Sequence, residues 1–312
     1  MINKRMLQLQ TSRYQKLPAW LISLLACGMV EVFFILGSLL GGIFLGMGII
    51  LTVLLKGGSD IIAEIGALSK NPLVELGIFP FVSLVLFAWV KWYEKRPLSS
   101  LGFFKHRALK ELAKGWFLGL LLFSLTLTLS FLLGGLELQS VDFSFKSLGF
   151  ILLILPLWLL QGGTEELLTR GWLLPILAKR TNLVIAIIVS NSLFGMMHLG
   201  NEHVNFLSVL SIILVGIFLS LYMLKTDNLW GVAGIHGAWN FTQGNIFGVS
   251  VSGTAAGPSL LHFTQKAGSP DWISGGAFGT EGSLLTSLVL LCATSYLAWQ
   301  LLKEKRVLSR IN

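Results

Sequence analysis

The distribution of apolar residues is the feature that most constrains how this chain folds. Apolar stretches of about 20 residues recur along its 312 residues, 54% of which are hydrophobic and only 12% charged. A stretch of that length is what an α-helix needs to cross the hydrocarbon core of a bilayer. The sequence therefore predicts an all-α, polytopic membrane bundle of about eight transmembrane helices, which we place near residues 20–54, 74–92, 112–134, 147–177, 183–200, 205–224, 228–247 and 283–302.

The Lys and Arg residues indicate how these helices are oriented. Basic residues accumulate in cytoplasmic loops. With the N-terminus in the cytoplasm, 18 of the 23 Lys and Arg residues lie on the cytoplasmic side: four in the N-terminal tail up to Lys16, seven from Lys91 to Lys114, Lys179, Arg180, Lys225 and four after the last span. The net charge of +8 is thus explained by membrane topology rather than by nucleic-acid binding. We expect both termini in the cytoplasm.

The same pattern predicts a single integral membrane domain over 1–312. Residues 91–114 are expected to form a basic amphipathic connection on the cytoplasmic surface. Residues 248–282 are expected to form an extracytoplasmic loop, which we interpret as a flexible connector, with a lid as the alternative. The first helix is longer than a bilayer requires, and Gly41-Gly42 is a plausible place for it to bend or break. The fourth is also too long, so its second half is expected to be buried in protein or to dip to the interface.

Charged residues inside the fourth span are the first candidates for chemistry, because ionisable groups at membrane depth are costly. Glu166 and Arg170 lie one helical turn apart with the acid first, which is the favoured order for an ion pair. Glu165 is rotated by about 100° from its neighbour and has no partner on its own helix. The sequence therefore predicts a structural role for Glu166 and proton exchange at Glu165. Glu31 in span one has no polar neighbour in sequence, and we interpret it as snorkelling or facing the lumen.

Two later spans carry further polar pairs at i, i+4 spacing. Phe194 shares a face with His198 in span five, and His236 shares a face with Asn240 in span seven. Taken singly, each histidine would be interpreted as a core residue. Together with the acid pair they form a set that could bind a metal or activate a water, with Asn240 or nearby backbone N–H groups as the donor to an oxyanion. This hypothesis requires Glu165, His198 and His236 to converge on one cavity.

These three motifs together resemble those of the CAAX-protease and bacteriocin-processing family, also called the Abi or type II CAAX prenyl protease family. The motifs are Glu165-Glu166-x-x-x-Arg170, Phe194-x-x-x-His198 and His236-x-x-x-Asn240, in this order on separate spans. The Arg96-Pro97-Leu98-Ser99-Ser100-Leu101-Gly102 segment is also similar to the family's cytoplasmic connection.

The resemblance implies an intramembrane endopeptidase that hydrolyses a peptide bond of a membrane-associated peptide or protein. It implies a catalytic core at 147–247, spans four to seven, in which Glu165 activates water, His198 assists, and His236 with Asn240 binds the oxyanion. In the metalloprotease account, Glu165, His198 and His236 would help to hold a divalent metal such as zinc. A prenylated CAAX protein, a bacteriocin and a signalling peptide all remain open as substrates.

Two other classes of function compete with the protease. One is a non-catalytic immunity or binding protein on the same scaffold, and the completeness of the motifs argues against it. The other is a proton-coupled transporter, which the lack of internal repeats disfavours. The expected partners are the lipid bilayer and a membrane-associated substrate, without nucleic acid. Short loops lead us to expect a bacterial inner (cytoplasmic) membrane protein.

Overall fold

A computed structural model describes residues 4–8, 13, 17–56 and 61–311 of the chain. Lys16 of the basic tail lies outside these residues. Helices and strands are numbered in chain order. They are α1 (Ala19–Lys56), α2 (Ile61–Ser69), α3 (Pro72–Leu76), α4 (Phe79–Ala88), α5 (Ala108–Leu132), β1 (Leu136–Val141), α6 (Phe145–Glu166), α7 (Leu174–Arg180), α8 (Leu183–Met197), α9 (Phe206–Thr226), α10 (Trp230–Phe241), β2 (Leu261–Gln265), α11 (Asp271–Ser274) and α12 (Leu284–Ile311).

Three of these helices continue into π-helical segments, in which the backbone is wound more widely than in an α-helix. Trp89–Tyr93 extends α4, and Thr242–Ile246 extends α10. Leu167–Leu173 joins α6 to α7, so that helical structure is continuous from Phe145 to Arg180. All residues of this joining segment are buried, as is most of α7. The second half of the long fourth span is therefore buried in protein, which was one of its two predicted placements.

Seven helical stretches in the described part of the chain are long and apolar enough to cross a membrane. They are Ala19–Leu55, Pro72–Tyr93, Ala108–Leu132, Phe145–Arg180, Leu183–Gly200, Phe206–Thr226 and Leu284–Glu304. Each overlaps a predicted span. Lipid-facing positions of α1, such as Leu39, Ile43 and Phe44, are more than half exposed, as expected for a helix in contact with acyl chains. The polytopic helical bundle is confirmed.

The remaining predicted span, 228–247, forms a buried central helix, α10 with its π-helical extension. Its continuous part runs from Trp230 to Ile246, which is at the short end of the range of about 17 to 25 residues for a membrane span. Nearly all of its residues are buried, because α10 packs between α5 and α6. Hydropathy reports burial in apolar surroundings and does not distinguish protein from lipid. The expected count of about eight spans includes this helix, which packs against protein rather than lipid.

Close approach of α5 and α10 depends on glycine. A Cβ atom on Gly115 would lie 2.0 Å from the carbonyl oxygen of Gly231, and one on Gly119 would lie 2.2 Å from that of Ile235. Neither distance is possible, so these positions accept only hydrogen. The matching order of the contacts along both helices shows that α5 and α10 run parallel. This packing fixes the position of the helix that carries His236.

Helix α1 is not interrupted at Gly41-Gly42, contrary to the sequence-based expectation. Helix α4 instead packs closely against Gly37 and Gly41. A Cβ atom on Gly37 would lie 2.3 Å from Val82, and one on Gly41 would lie 3.0 Å from Phe81. A Cβ atom on Gly42 would meet no atom within 4 Å. Gly37 and Gly41 thus serve helix packing, and the prediction of a break was wrong, while a bend stays a prediction.

The connection between α4 and α5 is partly buried, whereas a surface segment was expected. Arg96 is 4% exposed, forms an ion pair with Glu94, and donates a hydrogen bond of 2.8 Å to Ser100. Glu94 also accepts a hydrogen bond of 2.7 Å from the indole N–H of Trp172 in the π segment. The motif around Arg96 therefore anchors the connection to the helix that carries the acid pair.

Residues 248–282 form folded structure rather than a flexible connector. Strand β2 pairs antiparallel with β1, with Leu136 opposite Gln265 and Val141 opposite Leu261. This two-stranded ribbon is the one sheet in the described residues, and it lies at the end of the bundle where α5 ends and α6 begins. Ser252 accepts a hydrogen bond from Asn201 through its carbonyl oxygen, at 3.0 Å. Residues 251–256, which we call the strap, thus join the loop after α8.

Candidate active site

Arg170 lies at the centre of a fully buried polar network in the π segment. Its Nη1 is 3.1 Å from Oε1 of Glu166, and neither side chain is exposed. It also donates hydrogen bonds of 2.7 Å to Thr169 and to Asn191 of α8. Its guanidinium carbon lies 4.6 Å above the ring of Phe194, a cation–π contact. The predicted ion pair is present, and Phe194 contacts it directly.

Glu166 connects this network to a histidine. The Oε1 atom of Glu166 also accepts a hydrogen bond of 2.9 Å from Nδ1 of His236. A carboxylate acceptor places the proton on Nδ1, so that Nε2 is the atom available to the cavity. Glu166 is therefore more than a counterion for Arg170, because it also orients His236.

Glu165 faces the cavity with one oxygen satisfied and the other without a hydrogen bond. Its Oε1 accepts a hydrogen bond of 2.7 Å from Gln161, one turn earlier on the same helix. The expectation that Glu165 has no partner on its own helix was wrong, because a glutamine supplies one. Its Oε2 is buried without a hydrogen bond and lies 3.5 Å from Nε2 of His236. The residue as a whole is 9% exposed.

Gln161 links Glu165 to Asn240. While its amide N–H binds Glu165, its carbonyl oxygen accepts a hydrogen bond of 2.8 Å from Nδ2 of Asn240. This side chain was missed from the sequence, although a polar residue at i−4 from Glu165 in an apolar span was the signal that could have identified it. This hydrogen bond to Gln161 fixes the orientation of the Asn240 amide. The second N–H of the amide is not used in it.

His198 occupies the C-terminal end of α8. Its Nδ1 shares a hydrogen bond of 2.7 Å with the carbonyl oxygen of Phe194, and the two rings meet edge to face at 4.8 Å. The carbonyl can only accept, so Nδ1 is the donor and Nε2 is left for other contacts.

Glu281 lies near His198, and it was also missed from the sequence. It is 8% exposed and accepts a hydrogen bond of 2.9 Å from the Ser252 hydroxyl in the strap. Burial raises the pKa of Glu281, and the bonds from Ser252 and the nearby His198 offset part of this effect. Nothing in the local sequence pairs Glu281 with a residue of span five, so it could not have been found by spacing.

The predicted site residues converge on one cavity. Its volume is about 330 Å³, and its walls come from α1, α3, α4, α6, α8, α10 and the strap. Glu165, His198, His236, Asn240 and Phe194 all line it, whereas Glu166 and Arg170 lie behind its wall. The convergence that the sequence-based hypothesis required is therefore present. Glu31, which we expected to snorkel or face the lumen, also lines this cavity.

The donor set is arranged for hydrogen bonding rather than as a closed metal centre. Within the described residues, no three His, Cys, Asp or Glu side chains are grouped closely enough to hold a metal ion. Glu165 and His236 come within 3.5 Å of each other, but His198 does not complete a cluster with them. The three predicted zinc ligands are thus not assembled in this geometry, and the metal stays a prediction.

Comparison with known proteins agrees with the motifs. Residues 147–242 match the family model described as type II CAAX prenyl endopeptidase Rce1-like. The chain contains an Rce1-like domain. The family resemblance inferred from the three motifs is confirmed, and all seven predicted site residues fall inside the Rce1-like domain. No curated protein and no solved structure matches the chain significantly. The domain indicates a CAAX-type intramembrane protease, and the seven apolar helices indicate an integral membrane protein.

Proposed function

We propose that the protein is an intramembrane endopeptidase in which Glu165 activates the attacking water. The observation that carries this proposal is the convergence of Glu165, His198, His236 and Asn240 on one cavity. The substrate is a membrane-associated peptide or protein. Its identity stays a prediction, as do the bacterial inner membrane and the cytoplasmic placement of both termini.

We place the attacking water beside Glu165 and His236, within reach of both. Oε2 of Glu165 and Nε2 of His236 are 3.5 Å apart, and a water beside them would satisfy the carboxylate oxygen that now lacks a hydrogen bond. Glu165 takes a proton from this water as the hydroxide adds to the substrate carbonyl carbon. Gln161 holds the other carboxylate oxygen, so that Oε2 keeps its direction during the transfer.

The oxyanion and the leaving amine require donors on the same cavity wall. The second N–H of the Asn240 amide donates to the oxyanion while the first remains on Gln161. Nε2 of His198 is the ring atom that exchanges with substrate, since Nδ1 is held by Phe194. When the tetrahedral intermediate collapses, the C–N bond breaks and the proton held by Glu165 passes to the leaving amine, directly or through His198. The carboxylate is thereby restored.

A cleavage assay tests this proposal. Purified protein in nanodiscs is incubated with a library of internally quenched peptides, and wild type is compared with His198→Ala. His106→Ala is the matched control, because His106 is exposed and does not line the cavity. We expect turnover by wild type and by the control and its loss in His198→Ala. Equal turnover in all three proteins would refute the assignment, and no turnover by wild type would favour the non-catalytic binding protein.

The same assay addresses the metal. Protein that has been exhaustively dialysed against a chelator is compared before and after zinc is restored. We expect Glu165-dependent cleavage to persist after chelation if the water is activated as described. Complete loss that zinc restores would show that a metal is required, and Glu165, His198 and His236 would be its first candidate ligands.

A further inference from the structure

Two carboxylates in the cavity are not used by the proposed mechanism. Glu31 of α1 and Glu75 of α3 line the cavity together with Glu165, and none of its lining residues is Lys or Arg. Within the described residues, neither Glu31 nor Glu75 forms an ion pair or a hydrogen bond through its side chain. Both residues are exposed, so their carboxylates are open to a ligand in the cavity. The cavity is therefore an acidic groove, with three carboxylates and no basic side chain in its lining.

The packing of α1 against α4 places the two carboxylates at opposite ends of this groove. The helices are antiparallel, because Gly37 meets Val82 and Gly41 meets Ile78. Glu31 lies before Gly37 on α1, and Glu75 lies in α3, just before Ile78. Because α1 and α4 are antiparallel, these two positions fall toward opposite ends of the contact. At a rise of 1.5 Å per residue, Glu31 and Glu75 are separated by roughly 15 to 20 Å along the helix axes.

Glu165 lies between them. Thr164, its neighbour in α6, forms a hydrogen bond of 2.8 Å with Ser83 of α4, about level with the contact of Gly37 with Val82. By helical rise, Glu165 is about 8 Å from the level of Glu31 and about 12 Å from that of Glu75. An extended peptide advances about 3.3 Å per residue, so these distances correspond to roughly two to four residues on each side of the reacting bond.

The carboxylate of Glu165 is consistent with a ligand in the same groove. Oε2 of Glu165 is buried without a hydrogen bond, in a residue that is only 9% exposed. Native proteins rarely leave a buried carboxylate oxygen unsatisfied. The unsatisfied atom lies in the groove, between the two carboxylates, where the peptide bond and its attacking water would be placed.

We propose that Glu31 and Glu75 are specificity-determining residues, each binding a Lys or Arg side chain of an extended peptide on opposite sides of the scissile bond. This inference rests on the proposed function and adds the charge of the substrate to it. Near Glu31 the groove is lined by Leu168 and Phe34, and near Glu75 by Pro72 and Leu76. Each carboxylate is thus flanked by apolar side chains that suit the aliphatic part of a lysine.

Internally quenched peptides test this proposal through kcat/KM. The peptides carry Lys, Leu or Glu at the second to fourth positions on either side of the cleaved bond, and the nanodiscs contain only zwitterionic lipid so that the bilayer adds no charge. We expect wild type to prefer Lys over Leu by about tenfold on each side. Glu31→Gln should abolish the preference on one side only, and Glu75→Gln on the other. Glu31→Lys and Glu75→Lys should favour Glu peptides.

Glu137→Gln is the matched control, because it removes the same charge from β1, outside the cavity. The preference of Glu137→Gln for Lys over Leu peptides should equal that of wild type. Equal cleavage of Lys, Leu and Glu peptides by wild type, or an unchanged preference in both Gln variants, would overturn the inference while the proposed function stands.

A measurement of peptide affinity tests this inference separately from the proposed catalytic function. The Kd of a fluorescein-labelled Lys peptide should rise about tenfold in Glu31→Gln and in Glu75→Gln, and not in Glu137→Gln. If wild type cleaves no peptide yet shows this pattern, the proposed function fails and the acidic groove that binds Lys or Arg stands. Identical Kd values in all four proteins would overturn the groove.

Discussion

Replacing Glu166 by Gln should destabilise the protein strongly, because the change leaves the Arg170 charge buried without its counterion. The 3.1 Å separation of the pair corresponds to about 5 kcal/mol of attraction at an effective dielectric constant of about 20. Hydrogen bonds from Arg170 to Thr169 and Asn191 are retained in the variant. We therefore expect the free energy of unfolding to fall by about 3 to 5 kcal/mol, the range seen when one member of a buried pair is removed.

Equilibrium unfolding in mixed detergent micelles of rising SDS content, followed by tryptophan fluorescence, measures this loss. The matched control is Glu165→Gln, which keeps an isosteric acceptor for Gln161 and removes no partner of Arg170 within hydrogen-bonding distance. In the double variant Glu166→Gln, Arg170→Met both charges are absent, so it should be more stable than Glu166→Gln alone. Wild-type stability in Glu166→Gln, or additive losses in the double variant, would refute the reasoning.

Three further predictions concern other parts of the site and fold. Asn240→Ala should lower kcat by about 100-fold or more with a smaller change in KM, as the loss of an oxyanion donor does, and steady-state kinetics will show this. Gly119→Val should force α5 from α10 and reduce the free energy of unfolding by about 1 to 3 kcal/mol or more, whereas Gly42→Val should leave it unchanged; wild-type stability of Gly119→Val would contradict the packing. Because burial raises the pKa of Glu281, the folded state binds its proton more tightly, so stability should fall as pH rises from the ordinary Glu range to this raised pKa; Glu281→Gln should lack this component, and identical pH profiles would contradict it.

Apolar patterning predicted the long helices accurately because span length follows directly from bilayer thickness. It did not reveal that the helix with His236 is surrounded by protein instead of lipid. Local spacing also predicted the pairing of Glu166 with Arg170, since i, i+4 geometry belongs to the helix itself. Gln161 was accessible by the same logic and was overlooked.

Contacts between distant segments could not be predicted in this way. The hydrogen bond from His236 to Glu166 depends on how α10 packs on α6, and the position of Glu281 beside His198 depends on the folding of residues 248–282. Glu31 and Glu75 similarly meet the cavity only because α1 and α3 pack around it. Such placements follow from tertiary packing, which a single sequence does not specify by spacing.

The turnover number of Glu165→Gln tests the central claim most directly. Gln keeps the shape of the side chain and can still bind Gln161, but it cannot accept a proton from water. The account predicts that kcat for the best peptide falls by at least about 100-fold while the free energy of unfolding stays near that of wild type. A Glu165→Gln protein that retains kcat within about twofold of wild type would contradict it.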